Sequence, residues 1–424
     1  MRNGNYSKKI ICVVLMLAVS MLTACSSFDS FKHTFLDKKT KDVDEKTILI
    51  GVFEPQTGRY SEKGQEEIKG IELANSIYNS VNGYHVELVK VDTQSSTGAA
   101  KTAIQSLIKM KPVAIIGSAG EATSLIASKY VDEAKIPAIA PSSTNPLITQ
   151  NYNYYFRTSV TSSQMGTGVA DYAYEELESR HIGIVTAQND TAAASFLNGF
   201  NEKIDTLIKE DNDEESKEIN PVVMEEELDI ADEGNILQII NEIKKNRVDT
   251  LFIPLGAEAM DSFLSAAEKN GLSNINFIGT NEWGNPEFID MMKKHEGMKI
   301  AFPYESVLNG GSNSMTHEAD RFRIEYANKY GTDELPTDSA ALGYDSYLLL
   351  INAIHNAGSI KGPEIRQALL DLKDIQCATG VFNFDSHGNT VRPVNISTIK
   401  NGKVVSLHKT QSDTESIEVE ELEK

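Results

Sequence analysis

The sequence predicts an α/β protein of two doubly wound, parallel-sheet lobes. Short continuous apolar runs recur along the chain, and strands buried on both faces of a parallel sheet have that pattern. Helix-period segments alternate with them. The alternation stops near Val160–Ser163 and restarts, and a body of about 400 residues is too large for a single core.

The elements follow in order. Thr47–Phe53 is the first buried strand, and Glu54–Gly64 is a loop punctuated by Pro55, Gly58 and Gly64. The next helix places Ile68, Ile71, Ala74 and Ile77 on one face. Tyr84–Val91 alternates as a strand, and Ala100, Ala103, Ile104, Leu107 and Ile108 fit a helix. Val113–Ile116 and Ile136–Ala140 are strands around a helix carrying Ala122, Leu125, Ile126 and Tyr130. After the short strand Tyr155–Arg157 the pattern restarts. Helices near Ser163–Leu177, Ala193–Lys209, Ile236–Ile243 and Met260–Ala267 alternate with strands Ile182–Val185, Val222–Leu228, Thr250–Ile253 and Ile275–Ile278. Phe288–Glu296 and Ser314–Lys329 read as helices flanking the extended piece Lys299–Phe302. Ala340–Asn356 is a long apolar helix, and Pro363–Leu372 is a helix with proline in its first turn. Gly380–Asn389 is an alternating strand with a tight turn. Val394–Ile399 and Val404–Leu407 form a hairpin about Asn401-Gly402.

The amino terminus adds a compartment. Arg2, Lys8 and Lys9 precede the apolar run Ile10–Leu22, and Leu22-Thr23-Ala24-Cys25 follows. A basic start, a short apolar run and small residues make an export signal, and the run is too short to span a bilayer comfortably. Its ending resembles a bacterial lipobox, which implies cleavage before Cys25 and diacylglycerol on that sulfur. Residues 25–46 then read as a solvated tether, and residues 411–424 as an acidic tail. Loss of three basic and no acidic residues takes the formal charge from −21 to −24. So acidic a body excludes nucleic acid as a partner and disfavours an anionic bilayer surface. Cys12 leaves with the signal and Cys25 carries lipid, so Cys377 has no partner and reads as a buried thiol.

Chemistry is marked more by what is missing. The sequence has no Gly-x-Ser-x-Gly elbow, no phosphate loop with lysine and no His-Glu-x-x-His. Its eight histidines show no metal-ligand spacing. The acids of Asp211–Glu218 lack the glycine of a calcium loop and read as a solvated surface run. An enzyme, a cofactor and a metal are therefore not expected. Two loops stand out instead, Gly117-Ser118-Ala119-Gly120 and Pro141-Ser142-Ser143-Thr144-Asn145. Both follow strands of a parallel sheet, at the carboxyl edge where such sheets bind ligands. Their hydroxyls and amides suit an anionic group, or serve to cap helices and turns.

These pieces form a recognisable series. Pro55-x-Thr57-Gly58-x-Tyr60-x-x-x-Gly64, Ile116-Gly117-Ser118, Pro141-Ser142-Ser143-Thr144, Gly343-Tyr344-Asp345 and Gly380-x-Phe382-x-Phe384-Asp385-x-x-Gly388 follow the lipoprotein signal in order. The series resembles the substrate-binding proteins of branched-chain amino acid ABC transporters, over about residues 47–409. The resemblance implies the type I periplasmic-binding-protein fold, with two lobes joined by three crossovers and a ligand clamped between them. It assigns 47–159 plus 305–390 to the first lobe and 160–304 plus 391–410 to the second. Ser142 and Thr144 match positions that hold a ligand's α-carboxylate and amino group, with Ser118, Ala119 and Ser143 beside them. Tyr60 matches an aromatic at the pocket mouth. Three positions depart from the amino-acid binders: Glu121 replaces a small hydroxyl residue, Thr191 a large aromatic, and Asn281 an acid that the adjacent Glu282 could supply. Trp283 lies in that same loop. The implied function is capture of an amino acid or related small polar solute and its delivery to ABC permease subunits, from a lipid anchor outside the cytoplasmic membrane. The alternative is a sensor or protein-partner module on the same fold.

Overall fold

The structure, a computed structural model, describes residues 46–187, 193–211, 220–229, 232–304, 316–331 and 336–409. The export signal, Cys25, the tether, Thr191, the acidic run beyond Asp211 and the acidic tail lie outside the described residues. Among those described, no helix is long and apolar enough to cross a membrane, and no group of three or more His, Cys, Asp or Glu is placed to hold a metal.

The first sheet has six strands in the order β2-β3-β1-β4-β5-β6. They are β1 (Lys46–Glu54), β2 (Ser80–Val81), β3 (Tyr84–Asp92), β4 (Ala114–Ile116), β5 (Ala138–Ala140) and β6 (Tyr155–Arg157). All pairings are parallel except β2 with β3. Register sets Ile50 beside Leu88 and Val52 beside Ile116. Side chains alternate across a strand, so β1 feeds two cores. Ile48, Ile50 and Val52 face one cluster with Ile71, Ala74, Tyr344, Tyr347 and Leu348. Phe53 faces the other with Ile104, Leu107, Ala127 and Val131. Helices α1 (Ser61–Ile77), α2 (Thr97–Lys109) and α3 (Glu121–Ala134) thus cover both faces, with a single turn α4 (Leu147–Gln150) before β6.

The chain then passes through Thr158–Thr161 to a second sheet, ordered β15-β14-β11-β10-β9-β7-β8. Its parallel strands are β7 (Ile182–Ala187), β8 (Val222–Leu228), β9 (Thr250–Phe252), β10 (Asn276–Ile278) and β11 (Lys299–Pro303). Helix α5 (Ser162–Asp171) begins with a capping box, Thr161 with Gln164, and continues as a π-turn over Tyr172–Glu176. With α6 (Ala193–Glu210) it packs on Ile184, Phe252 and Ile278. Helices α7 (Glu233–Lys245), α8 (Ala257–Lys269) and α9 (Pro286–Met292) cover the other face, around Leu251, Phe263 and Phe277. The last helix ends four residues sooner than its sequence pattern suggests, at Met292 rather than Glu296.

After Tyr304 the chain returns to the first sheet as α10 (His317–Tyr330), α11 (Asp338–Ala357) and α12 (Gly362–Leu370). Strands β12 (Ile375–Cys377) and β13 (Gly380–Phe382) form a short antiparallel pair. The alternation read over Gly380–Asn389 stops at Phe382, with only a Phe384–Thr390 bridge beyond. The Asp385 carboxylate takes the amides of His387 and Asn389, closing a turn instead of a ladder. A third passage, Val391–Val394, leads to the hairpin β14 (Asn395–Lys400) and β15 (Lys403–Lys409) at the edge of the second sheet. Asp345 in α11 accepts the Ala378 amide at 2.6 Å, the Thr379 amide at 2.9 Å and the Thr379 hydroxyl at 2.7 Å. Burial pushes its carboxyl up to about 7 against those bonds and the Arg392 charge.

Helices α1 and α11 meet without side chains between them. A Cβ on Gly70 would lie 1.8 Å from the Ala340 carbonyl oxygen, and one on Gly343 would lie 2.3 Å from the Glu67 carbonyl oxygen. Gly70→Ala is expected to cost about 2 kcal/mol, because the obstructing atom is backbone in a packed core. Urea unfolding of wild type and variant checks it, and equal midpoints would contradict the contact.

Candidate functional site

The candidate site lies at the carboxyl edge of the first sheet. Gly117, at φ +134°, follows β4 because its backbone crosses β1 closely: a Cβ there would sit 2.0 Å from the Phe53 carbonyl oxygen. The hydroxyl-rich loops beyond it hold one another. The Ser118 carbonyl accepts from Ser124 Oγ at 2.9 Å and Ser143 Oγ at 2.8 Å, and the Ser118 amide donates to Ser124 Oγ at 3.2 Å. Ser118 and Ser143 are fully buried. The other donors meet acids. The Ala119 amide donates to Glu54 Oε2 at 2.7 Å, and the Ser142 hydroxyl donates to Glu67 Oε1. Both glutamates are fully buried. Burial lifts Glu54 well above the usual carboxylate range, with the Glu67 charge adding to it. Burial also raises Glu67, and the hydrogen bond from Glu54, the Lys63 charge and the Ser142 hydroxyl hold it back.

Arg157, at the end of β6, fixes the second loop from below. It is buried, and it donates to the carbonyls of Ser143 (3.1 Å) and Asn145 (2.7 Å) and to Thr149 Oγ1 (3.2 Å). Burial lowers its pKa to about 10, against the Glu121 and Asp385 charges, so it remains a cation at neutral pH. A guanidinium suits this position because its planar fork supplies several donors in fixed directions.

Fewer groups face open space. Thr144 is half-buried, and its hydroxyl donates to Glu121 Oε1 at 2.7 Å and accepts from Ser162 Oγ at 3.1 Å. Ser162 opens α5, so this contact joins the first-sheet loop to the start of the second half. Glu121 is exposed, and Tyr60 is 40% exposed with its amide on Ser95 Oγ and the Arg59 guanidinium 5.4 Å from its ring centroid. On the second sheet, the loop after β10 is a 3-10 turn, Asn281–Gly284. Asn281 is half-buried and Glu282 exposed.

A profile of the periplasmic binding protein family matches residues 47–403. This chain belongs to that family. An amino acid binding protein of Pseudomonas aeruginosa is 28% identical over 177 residues, 41% of this chain and 43% of that protein, so the match spans less than half of the relative's length. A leucine-binding protein from Thermotoga maritima superposes with a TM-score of 0.69 at 25% identity, over 86% of this chain and 99% of that one. A branched-chain amino acid transporter substrate-binding protein from Streptococcus pneumoniae, solved with isoleucine, gives 0.68 at 25% identity, over 86% of this chain and all of its own. The two lobes are those of a type I periplasmic binding protein.

Within this binding-protein framework one expected site residue moves. Trp283 is fully buried, stacked on Phe288 at 4.8 Å, with Nε1 donating to the Leu255 carbonyl at 2.7 Å. The sequence leaves it between a ligand contact and plain packing; the structure seals it in the second-lobe core, where its large apolar ring and its one donor are both satisfied. Ser118 and Ser143 likewise serve the framework. Sequence reasoning missed Glu54, Glu67 and Arg157. The signal for Glu67 was its spacing with Gly64 and Ile71, which puts it on the inward face of α1. Arg157→Met takes the guanidinium donors from the carbonyls of Ser143, Asn145 and Pro146 and from Thr149 Oγ1 and is expected to cost about 3 kcal/mol. Amide exchange over residues 143–149 is expected to accelerate more than exchange in β9; uniform acceleration would contradict a local role.

Proposed function

We propose that this protein is an extracytoplasmic binding lipoprotein that captures an amino acid or related small polar solute between its lobes and delivers it to ABC permease subunits. The observation that carries this reading is the Thr144–Ser162 contact, which sets the loop after β5 against the first turn beyond the first crossing. Family membership and the solved relatives support it. Binding, not catalysis, is the activity, and closure is a bend of one lobe on the other. Residues 47–159 with 305–390 form one jaw, and 160–304 with 391–410 the other. Tyr60, Glu121 and Thr144 contact the solute from the first jaw, with the Ala119 and Ser142 loops behind them. Thr191, Asn281 and Glu282 contact it from the second. Exposed Glu121 and Glu282 favour a solute carrying an ammonium group.

A thermal-shift screen of the chain lacking residues 1–25, against amino acids, amides, polyamines, sugars and short peptides, tests capture. A solute that binds only the folded state at a hundredfold excess over its dissociation constant adds about 2.7 kcal/mol and raises the midpoint. A cooperative melt that no compound moves would overturn the reading. Anchoring is tested separately. Cys25→Ser is expected to shift the expressed protein from the membrane fraction to the soluble fraction, and unchanged fractionation would refute lipidation at Cys25.

A further inference from the structure

Two carboxyl groups lie beneath the first-lobe loops, and solute capture as described does not use them. Glu54 closes β1, and Glu67 lies on the inward face of α1; both are fully buried. Their four oxygens divide into two sets. Glu54 Oε2 accepts the Ala119 amide, and Glu67 Oε1 accepts the Ser142 hydroxyl. Glu54 Oε1 and Glu67 Oε2 are buried and receive no donor from the rest of the protein. Each carboxyl is close enough to shift the other: Glu67 raises Glu54, and Glu54 lowers Glu67. Two ionised carboxylates buried side by side would repel, whereas one proton between the two remaining oxygens satisfies both. Gly117 leaves the room for this, since a Cβ there would lie 3.0 Å from Glu54 Oε1.

The charged and titratable neighbours agree with a single negative charge. Lys63, half-buried one turn before Glu67, offers one positive charge to the pair. Tyr155 of β6, buried and donating to the Gly117 carbonyl, feels both glutamates, and the Arg157 cation stands beyond it.

We propose that Glu54 and Glu67 hold one proton between them, on Glu54 Oε1 facing Glu67 Oε2, and that this pair positions the Ala119 amide and the Ser142 hydroxyl at the ligand edge. The role toward ligand rests on the capture reading; the shared proton stands without it. The direction with pH follows. The folded chain retains a proton that the unfolded chain releases above the ordinary glutamate value. Stability is therefore fully present below that value and declines as pH rises toward the folded pKa of Glu54. Loss of the proton drives the carboxylates apart and takes Ala119 and Ser142 with them, so solute affinity falls in the same direction.

Glu67→Gln tests this, because the introduced amide donates to Glu54, accepts from Ser142 and keeps one negative charge on the pair with no proton to lose. Glu54→Gln does the same from the other side and serves where Glu67→Gln fails to fold. Because Asp345 also holds a buried carboxyl whose pKa is about 7, the infrared carbonyl band is read as a difference: wild type at pH 7 is expected to show the intensity of one more protonated buried carboxyl than either variant. The wild-type melting midpoint is expected to fall more steeply with rising pH than that of the variant. The dissociation constant of the solute returned by the thermal screen is expected to rise about tenfold per pH unit once the proton is being lost in wild type, and to stay flat in the variant. Carbonyl bands of equal intensity in wild type and both variants overturn the shared proton. Parallel pH profiles of affinity overturn the positioning role. A screen that returns no solute defeats capture and the ligand half of the proposal, while the infrared and melting results still decide the proton.

Discussion

The fold depends on one contact made almost entirely of backbone, the crossing of α1 and α11 at Gly70 and Gly343. Because those helices approach so closely, Tyr344, Tyr347, Leu348 and Ile351 reach the strand face formed by Ile48, Ile50 and Val52. The first sheet has that apolar face only partly covered, by α1, until a helix nearly three hundred residues later arrives. The chain must therefore leave, build a second sheet and come back, which gives the molecule its repeated passages between halves. Asp345 secures the returning helix by gathering the Ala378 and Thr379 amides, so the Gly343-Tyr344-Asp345 series is a packing device from end to end.

What the sequence made legible was whatever local period could express. Continuous apolar runs marked the parallel strands, and 3.6-residue spacing marked the helices that cover them. Both sheets formed where those patterns lay. The pattern failed where a distant partner decides the outcome. Glu54 closes an apolar run and reads as the start of a surface loop, yet its partner amide is 65 residues away. Arg157 ends a short strand, and it is held under a loop by carbonyls that no periodicity reveals. Trp283 misled in the opposite sense. A loop tryptophan reads as a binding surface, but the 3-10 turn folds it back over Gly279, whose missing side chain leaves space for the ring.

The site itself divides into framework and face. Hydroxyls at the end of a parallel sheet look like donors waiting for an anion. Most of those here are occupied in joining one loop to the next, and Ser142 donates to the buried acid Glu67. The arrangement makes the loops stiff, since each hydroxyl that bonds within the protein removes a rotor from the wall of the site. Under the capture proposal recognition falls to few groups, Glu121 and Thr144 among them.

The first and third passages lie side by side, with the start of the second beside them. Arg392 of the third donates to the Thr158 carbonyl of the first at 3.4 Å, and the Tyr304 amide of the second donates to the Asn395 carbonyl at 2.9 Å. A small cavity lined by Val160, Pro303, Tyr304 and Arg392 separates them. Mechanically this is a leaf spring, three parallel strips fastened edge to edge. Such a spring flexes easily across its thin direction and resists both torsion and sideways slip. Under the capture proposal, a bend at these joined passages would keep the opposing loops in register when the halves meet again.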